Sequence, residues 1–252
     1  MELLIATGAS ALAGFVDSIV GGGGLILLPA LFAVYPSVEP ATLLGNNKSA
    51  SVWGTGFATW QYSRQVAMRW SALVPAAGLA MAGSFAGAWA VTQVSPEFLR
   101  RLLPIVLVLV LLYTLWRKDL GREHAPRFER RHERWALCAI GLLIGSYDGF
   151  FGPGTGSFFV FLLVRVLGYD FLHASAAAKW LNLSSNAAAL VLFTWAGHVW
   201  WHMALPIAVA NVVGSLLGTR MALRHGTGFV RLMFLGVVSA LILKTGYDAF
   251  LR

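Results

Sequence analysis

The sequence contains few charged residues and almost no cysteine. Of its 252 residues only 12% are Asp, Glu, Lys or Arg, whereas a soluble domain normally carries about 25%. This scarcity argues against a water-soluble globular protein. The single cysteine, Cys138, excludes a disulfide bond within the chain. The GK[ST] ending of a nucleotide-binding loop is absent too, which argues against an ATP-driven protein of that type.

Long apolar stretches are abundant instead. Hydrophobic residues make up 58% of the chain, and the mean hydropathy is +0.69. About 20 apolar residues in a helix cross a hydrocarbon core of about 30 Å, and stretches of this length cover 42–60, 70–91, 99–116, 172–196, 201–223 and 229–250. Two longer stretches, 3–35 and 135–167, each contain a glycine-rich break. We therefore predict an all-α, polytopic integral membrane protein.

The net charge is +8, but the basic residues fall mainly between the apolar stretches. Basic residues in such loops favour the cytoplasmic side of a membrane. We therefore expect them to record membrane topology, and we expect no nucleic-acid partner. Glu2 is the only charged residue before the first apolar stretch, so the basic start of a signal peptide is missing. The stretch also continues past its glycines. We expect it to remain in the mature protein rather than to be cleaved as a signal peptide.

An internal repeat relates residues that lie 131 positions apart. Shared hydrophobicity would produce scattered Leu, Val and Ala matches, but the matches here include Asp, Lys, Trp and Pro. The identical pairs include Gly14 and Gly145, Asp17 and Asp148, Lys48 and Lys179, Trp70 and Trp201, and Pro75 and Pro206. Such self-similarity indicates a duplicated unit. We predict a first copy at 1–116, a cytoplasmic connector at 117–134 and a second copy at 135–252.

The distribution of basic residues indicates how the two copies are oriented. If each glycine-broken stretch crosses the membrane once, the copies are parallel, and the loop Lys and Arg residues divide ten to six between the two faces. If each stretch turns back as a re-entrant hairpin or two short helices, the copies are inverted and the division is thirteen to three. The positive-inside rule favours two inverted repeats, each with a broken segment and three transmembrane helices. Both termini then lie outside the cell.

The two glycine-rich breaks are candidate anion-binding sites. Broken segments in inverted repeats are typical of secondary transporters, whose substrate binds near the midplane. Glycine lets the backbone approach a ligand closely, and amides at a helix start favour an anion. The residues concerned are Gly21, Gly22, Gly23 and Gly24 in the first copy, and Gly152, Gly154, Thr155 and Gly156 in the second. The alternative is that these glycines only let two helices turn or pack tightly.

Two lysines inside apolar stretches, Lys48 and Lys179, are candidate substrate ligands. A charge at membrane depth is costly and marks a functional site by default. Related by the repeat, the two ammonium groups would converge and neutralise a bound anion. Neutral hydrogen bonds would come from Asn46, Asn47, Ser49 and Asn182. The alternative is that each lysine extends its side chain to the membrane surface.

Asp17 and Asp148 are the acidic residues within the broken segments. They would carry protons for coupling, pair with the lysines, or cap the helices at the glycine turns; we favour pairing. His198 and His202 have helical spacing but no third ligand nearby, so no metal site is predicted. Glycines spaced four apart, such as Gly83 and Gly87, predict close helix contacts.

These motifs resemble the TauE/SafE sulfite exporter family over essentially the whole chain. The resemblance rests on G-x-x-D-x-x-x-GGGG-x-x-x-x-P at 14–29, N-K-S-A at 47–50 and G-x-x-D-x-x-x-GPGTG at 145–156. It implies a bacterial or archaeal permease for small sulfur-containing anions such as sulfite, sulfoacetate or other organosulfonates. The second copy has A-K-W-L at 178–181 in place of N-K-S-A. The two half-sites are therefore unequal.

The sequence thus predicts a secondary transporter of the cell (inner or plasma) membrane. An anion would bind between the two copies, and access to it would alternate between the two sides. We expect no cofactor and no enzymatic activity, with the anion and the lipid bilayer as partners; homodimer formation stays open. The alternatives are an intramembrane enzyme that uses Asp17 and Asp148 as a carboxylate pair, and a non-catalytic subunit of a membrane complex.

Overall fold

A computed structural model describes residues 1–95, 97–98 and 127–250 of the chain. Within these ranges the protein consists of eight α-helices with no strand, so the predicted all-α membrane fold is confirmed. The helices are α1 (Glu2–Val20), α2 (Gly24–Val34), α3 (Pro40–Gln65), α4 (Trp70–Thr92), α5 (Arg130–Phe150), α6 (Thr155–Leu162), α7 (Phe171–Trp195) and α8 (Trp201–Phe250). Two predicted parts lie outside the described residues: the helix at 99–116 and most of the connector. The three basic residues on the outer face in the inverted topology, Arg100, Arg101 and Arg252, also lie outside them.

Both predicted glycine-rich breaks interrupt a helix. Between α1 and α2 the backbone takes positive φ at Gly21 (+79°) and Gly22 (+93°). Between α5 and α6 it does so at Gly152 (+87°) and Gly154 (+80°). Residues with a Cβ rarely adopt this conformation, which explains why glycine stands at these positions. Each long apolar stretch therefore forms two helices instead of one continuous span.

Among the described residues, three helices are both long and apolar enough to cross a membrane: Glu2–Val20, Trp70–Thr92 and Trp201–Val230. Helices α3 and α7 are also long enough, at 26 and 25 residues. Their polar residues, among them the buried Lys48 and Lys179, lower their mean hydropathy. Helix α8 changes direction at Gly226, where φ is +69° and ψ is −162°. The last two apolar stretches of the sequence meet at this kink.

Close helix contacts recur at the 131-residue offset. A methyl group added at Gly83 of α4 would lie 2.5 Å from the carbonyl oxygen of Leu142 in α5, and one at Gly214 of α8 would overlap the carbonyl oxygen of Ala11 in α1. The hydroxyl of Ser84 donates to the carbonyl of Ser185 at 2.6 Å. Its repeat counterpart, Ser215, donates to the carbonyl of Gly54 at 2.6 Å. Helices of one copy thus pack on helices of the other.

The buried polar residues lie midway along α3 and α7, between two apolar clusters. In α3 the N-terminal residues 41–50 contribute to one cluster and Ala58, Tyr62 and Val66 to the other. In α7 the order is reversed. Residues from 174–181 belong to the cluster that contains Tyr62, and residues from 189–193 belong to the cluster that contains residues of 41–50. The polar layer is therefore closed by apolar side chains toward both ends of the helices.

Candidate functional site

The first of two buried ion pairs joins the two copies of the repeat. Lys48 of α3 places Nζ 2.6 Å from Oδ1 of Asp148 in α5, and each side chain is 1% exposed. The lysine therefore does not extend to the membrane surface. Neither oxygen of Asp148 completes an aligned hydrogen bond with a residue that the structure describes. Lys48 is thus the principal partner of this carboxylate.

The second ion pair is related to the first by the 131-residue offset. Lys179 of α7 places Nζ 3.0 Å from Oδ2 of Asp17 in α1 and also donates to the Asp17 backbone carbonyl. Asp17 has further donors: the Gly23 amide lies 3.2 Å from Oδ1, and the Thr55 hydroxyl lies 3.3 Å from Oδ2. The carboxylate of Asp17 therefore joins an ion pair and also contacts the first amide of the α2 segment.

The two carboxylates consequently have different surroundings, although the repeat makes them equivalent. The repeat counterpart of Thr55 is Asn186. Its amide instead donates to the backbone and side-chain oxygens of Asn182, at 2.7 and 2.9 Å. No hydrogen bond from Gly154, the counterpart of Gly23, to Asp148 is present in the described structure. The half-sites are unequal in their neutral donors, although both ion pairs form.

The two glycine turns lie against each other between the ion pairs. A methyl group at Gly21 would overlap the backbone of Gly156, and one at Gly24 would lie 3.2 Å from the Cα atom of Pro153. The Ser157 hydroxyl reaches back to the carbonyl of Val20 at 3.4 Å. The N-termini of α2 and α6 therefore meet at the polar layer. Their positive dipole ends favour negative charge there.

A small polar cavity lies at this junction. Its lining consists of Asp17, Gly22, Gly24, Asn47, Lys48, Ser51, Asp148, Gly152, Gly154, Thr155, Gly156, Asn182 and Asn186. Its volume is about 10 Å³, and a single water molecule needs roughly 10–15 Å³ on the same measure. An anion with several heavy atoms does not fit in this conformation. Any such ligand requires the helices around the cavity to separate.

Most of the candidate residues line this cavity, and the others lie close by. Gly23 donates to Asp17, and Lys179 holds the same residue from α7. Gly21 lies against Gly156, outside the lining. Asn46 is buried and donates to the Thr42 carbonyl at 2.7 Å; Ser49 is also buried, at 1% exposure. Neither lines the cavity.

Two lining residues, Ser51 and Asn186, were missed by the sequence analysis. Ser51 lies three positions after Lys48, and Asn186 lies four after Asn182. Residues three or four apart share one face of a helix, so this periodicity was the available signal. Asn47 also presents an unpartnered buried oxygen, Oδ1. The cavity therefore contains acceptor oxygens in excess of the donors directed at them.

A second polar network lies beyond the cavity, near the predicted arginine-rich face. The buried carboxylate of Glu133 accepts hydrogen bonds from Arg69 and from the hydroxyl of Tyr169. Burial raises the pKa of Tyr169 above its ordinary value, and the hydrogen bond to Glu133 adds to the shift. The phenol therefore stays neutral and acts as a donor. The network ties the start of α5 to the loops before α4 and α7.

The arrangement suits binding of a charged ligand better than metal chemistry. Among the described residues, no group of three or more His, Cys, Asp or Glu side chains could hold a metal ion. Each carboxylate of the polar layer is paired with a lysine of the other copy. In low dielectric a buried charge is tolerated only when it is paired. The layer therefore has balanced charge and two cations available to a ligand.

Comparisons with known proteins agree with this description. The family model for the sulfite exporter TauE/SafE matches residues 6–245. The probable membrane transporter protein YfcA of Escherichia coli K12 is 36% identical over 94% of this chain and 87% of its own length. The probable membrane transporter protein ORF9 of a Sinorhizobium species is 34% identical over 94% of this chain and 89% of its own length.

A probable membrane transporter protein of Haemophilus influenzae Rd is 32% identical over 94% of this chain and 91% of its own length. No solved structure matches the chain. The family match covers the glycine turns, both ion pairs and all or most of each described helix. The chain is a membrane transporter and belongs to the TauE/SafE sulfite exporter family.

Proposed function

We propose that this protein is a secondary transporter for small sulfur-containing anions such as sulfite, sulfoacetate or other organosulfonates. One observation carries the proposal: two Lys–Asp pairs, each formed between the copies, meet at two glycine turns and enclose one polar cavity. A structural role alone would not require lysines at the centre of two membrane helices. Apolar residues of similar volume often stabilise such a position equally well or better.

The anion binds between the two copies in this proposal. Lys48 and Lys179 supply positive charge, and amides of the two glycine turns supply N–H groups. The amides of Gly21, Gly23, Gly152 and Thr155 must first leave the acceptors that they bind in this conformation. Helix starts with free amides are suitable sites for sulfonate and sulfite oxygens. The Asn47 and Asn182 side chains, which line the cavity, complete the hydrogen bonding. Tetrahedral sulfonates present three oxygens, which suits donors arriving from two turns.

The cavity is too small for the anion in this conformation, and apolar clusters lie toward both ends of the helices that line it. Transport then requires separation of the helices that meet across the two copies, first toward one side and then toward the other. Glycines bring the backbones of α4 and α5, and of α1 and α8, into close contact across the two copies.

The inverted orientation of the copies belongs to the same proposal. Several arginines assigned to the cytoplasmic side lie close together. Arg64, Arg220 and Arg224 line one groove of about 980 Å³, and Arg127 donates to the carbonyl of Arg165 at 3.0 Å. A common location at one end of the helix bundle agrees with the positive-inside rule. In the proposed topology both termini lie outside, and the protein resides in the cell (inner or plasma) membrane.

The intramembrane-enzyme alternative is less well supported by the geometry. An aspartic dyad needs two carboxylates that share a proton, whereas Asp17 and Asp148 are each engaged by a lysine from the other copy. The pairing leaves no carboxylate poised as a general base. No observation specifically favours catalysis, and transport accounts for the duplication of the site.

The test is ligand-dependent thermal stabilisation of the purified protein. The probes are sulfite, methanesulfonate and sulfoacetate, with chloride as the reference anion. A ligand that binds only the folded state raises the melting temperature by mass action. We expect one of the sulfur anions to stabilise the wild type. We expect this effect to be lost in Lys48→Gln and Lys179→Gln and retained in Arg131→Gln, which removes an exposed positive charge from α5.

Uptake of the stabilising anion into proteoliposomes then separates transport from binding alone. Counterflow of labelled anion should appear with wild type and with Arg131→Gln. The proposal fails if none of the three sulfur anions stabilises the wild type. It also fails if both lysine variants fold and respond to the anion as strongly as the wild type does.

A further inference from the structure

The two repeat-related aspartates are held unequally, and this inequality bears on how transport is driven. Asp17 accepts from Lys179, from the Gly23 amide and from the Thr55 hydroxyl. Asp148 contacts Lys48, and neither of its oxygens has an aligned hydrogen-bond donor among the described residues. A carboxylate with several donors holds its negative charge firmly, whereas one with a single cation depends on that cation.

Charge balance requires a change when an anion enters. The polar layer contains two lysines and two aspartates, so its four charges cancel. A monoanion bound at Lys48 adds one negative charge, which is costly in a site closed on both sides by apolar residues. The site returns to neutrality if one carboxylate takes up a proton. Proton uptake with the anion is therefore cheaper than entry of the anion alone.

When the anion enters, the negative charge of Asp148 loses more stabilisation than that of Asp17. An anion on Lys48 competes directly for the cation that lies 2.6 Å from Asp148, whereas Asp17 keeps its amide and hydroxyl donors. Asn47 in the same cavity presents an acceptor oxygen without a donor. A proton on Asp148 would convert one of the excess acceptors of the cavity into a donor.

The other ionisable groups around Asp148 do not offer an equivalent proton site. Lys48 approaches from α3; burial disfavours its charge, whereas the charges of Asp148 and Asp17 favour it. The Lys48→Arg variant, whose charge is fixed, tests the lysine as the proton site. Lys179 of α7 is bound to Asp17, and Tyr147 is the neighbouring residue on α5. Helices α4 and α6, which pack against α5, carry no charged side chain. Asp148 is therefore the group whose charge can change in response to the anion.

We propose that Asp148 takes up one proton when a monoanion binds at Lys48, so that one proton and one anion cross together. This inference rests on the proposed function. The proton comes from the side on which the anion enters. It leaves with the anion on the other side, as Asp148 returns to its ion pair with Lys48. The combined step moves no net charge, so a pH gradient drives it and the membrane potential does not.

The experiment counts the protons taken up on binding. Calorimetric titrations of methanesulfonate and of ethanesulfonate into the purified protein are run at one pH in two buffers with different ionisation enthalpies. Both probes are monoanions of fixed charge in the neutral range, so any buffer-dependent heat comes from the protein. We expect uptake of about one proton per anion in the wild type.

The infrared difference spectrum on binding identifies the aspartate that takes the proton. We expect a protonated carboxyl band that shifts in Asp148→Glu and stays in place in Asp17→Glu, because both variants keep the charge of the layer.

Asp148→Asn is measured in a Lys48→Arg background, because arginine stays protonated even without its partner. Lys48→Arg alone should keep the proton uptake, and the double variant should bind the anion with none. Binding to the wild type without proton uptake overturns this inference and leaves the proposed transport intact. A carboxyl band that shifts in Asp17→Glu instead assigns the proton to the wrong aspartate here and equally overturns it.

If neither probe binds the wild type, this inference fails; the proposed function fails with it only when sulfite and sulfoacetate do not stabilise the protein either. Should the double variant not fold, the two glutamate variants still decide the matter, since each keeps the charge of both ion pairs and alters only one carboxyl group.

Discussion

Lys48 and Asp148 form an ion pair in which each residue belongs to a different copy of the repeat, with Nζ and Oδ1 2.6 Å apart. In the second pair the lysine, Lys179, comes from the second copy and the aspartate, Asp17, comes from the first. Neither of these two Lys–Asp pairs therefore lies within a single copy. The charges that hold the two halves together are also the charges that the proposed substrate would meet.

Removal of one partner should cost more stability than removal of both. Breaking a buried pair leaves an uncompensated charge and costs about 3–5 kcal/mol, whereas an apolar replacement of the whole pair is often neutral. We expect Lys48→Met to lower the melting temperature strongly and Lys48→Met with Asp148→Leu to restore it. Neither variant should be stabilised by a sulfur anion. Thermal unfolding in detergent measures both effects.

The repeat-related pair supplies the matched comparison. In Lys179→Met with Asp17→Leu the Gly23 amide and the Thr55 hydroxyl lose their acceptor, so recovery should be incomplete. An unpartnered buried polar group costs roughly 1–3 kcal/mol. Equal recovery in the two double variants would contradict the inequality of the half-sites.

The glycine turn between α1 and α2 should not tolerate a side chain. Gly21 has a φ of +79° and lies against the backbone of Gly156, whereas Gly197 has the same φ with open space around it. A left-handed conformation costs a residue with a Cβ about 1–2 kcal/mol. Gly197→Ala should show only this cost. Gly21→Ala should lose about 1–3 kcal/mol more through overpacking, together with anion binding; equal melting temperatures would contradict the close contact.

The contact between α1 and α8 depends on a missing side chain at Gly214. A methyl group there would overlap the carbonyl oxygen of Ala11, whereas one at Gly78 in α4 would meet no atom within 4 Å. We expect Gly214→Ala to destabilise the protein by about 1–3 kcal/mol. Gly78→Ala should be neutral or slightly stabilising, because alanine favours a helix by about 1 kcal/mol over glycine. Melting temperatures of the two variants provide the test.

Membrane orientation can be measured at positions related by the repeat. Arg64 at the end of α3 and Trp195 at the end of α7 are both exposed and lie 131 residues apart. In a Cys138→Ser background, inverted copies place a cysteine at 64 inside the cell and one at 195 outside. A membrane-impermeant thiol reagent should then label Trp195→Cys in intact cells and Arg64→Cys only after permeabilisation. Labelling of both from the same side would indicate parallel copies.

The sequence predicted those residues of the polar layer that are energetically costly in a membrane, because they stand out within apolar stretches. Lysine at positions 48 and 179, aspartate beside glycine, and glycine runs inside apolar stretches all oppose the surrounding composition. Their recurrence at one offset showed that they belong to a common arrangement. The structure places Lys48, Asp17 and Asp148 around one cavity, with Lys179 bound to Asp17.

The exchange of partners could not be read from the sequence. Asp17 precedes Lys48 in the same copy, and nothing in the residue order shows that each lysine crosses to the other copy. That choice depends on the packing of α1 on α8 and of α4 on α5, which glycines such as Gly83 and Gly214 permit. The occlusion of the cavity was equally hidden, since it depends on how close the two glycine turns approach.

The exchanged ion pairs have a consequence for biosynthesis. When the first copy has been translated, Lys48 and Asp17 are already in place, yet their partners Asp148 and Lys179 are not yet made. An unpaired charge at membrane depth is costly, and the first copy alone cannot form either ion pair of the finished protein. The final packing of the first half therefore depends on the second half.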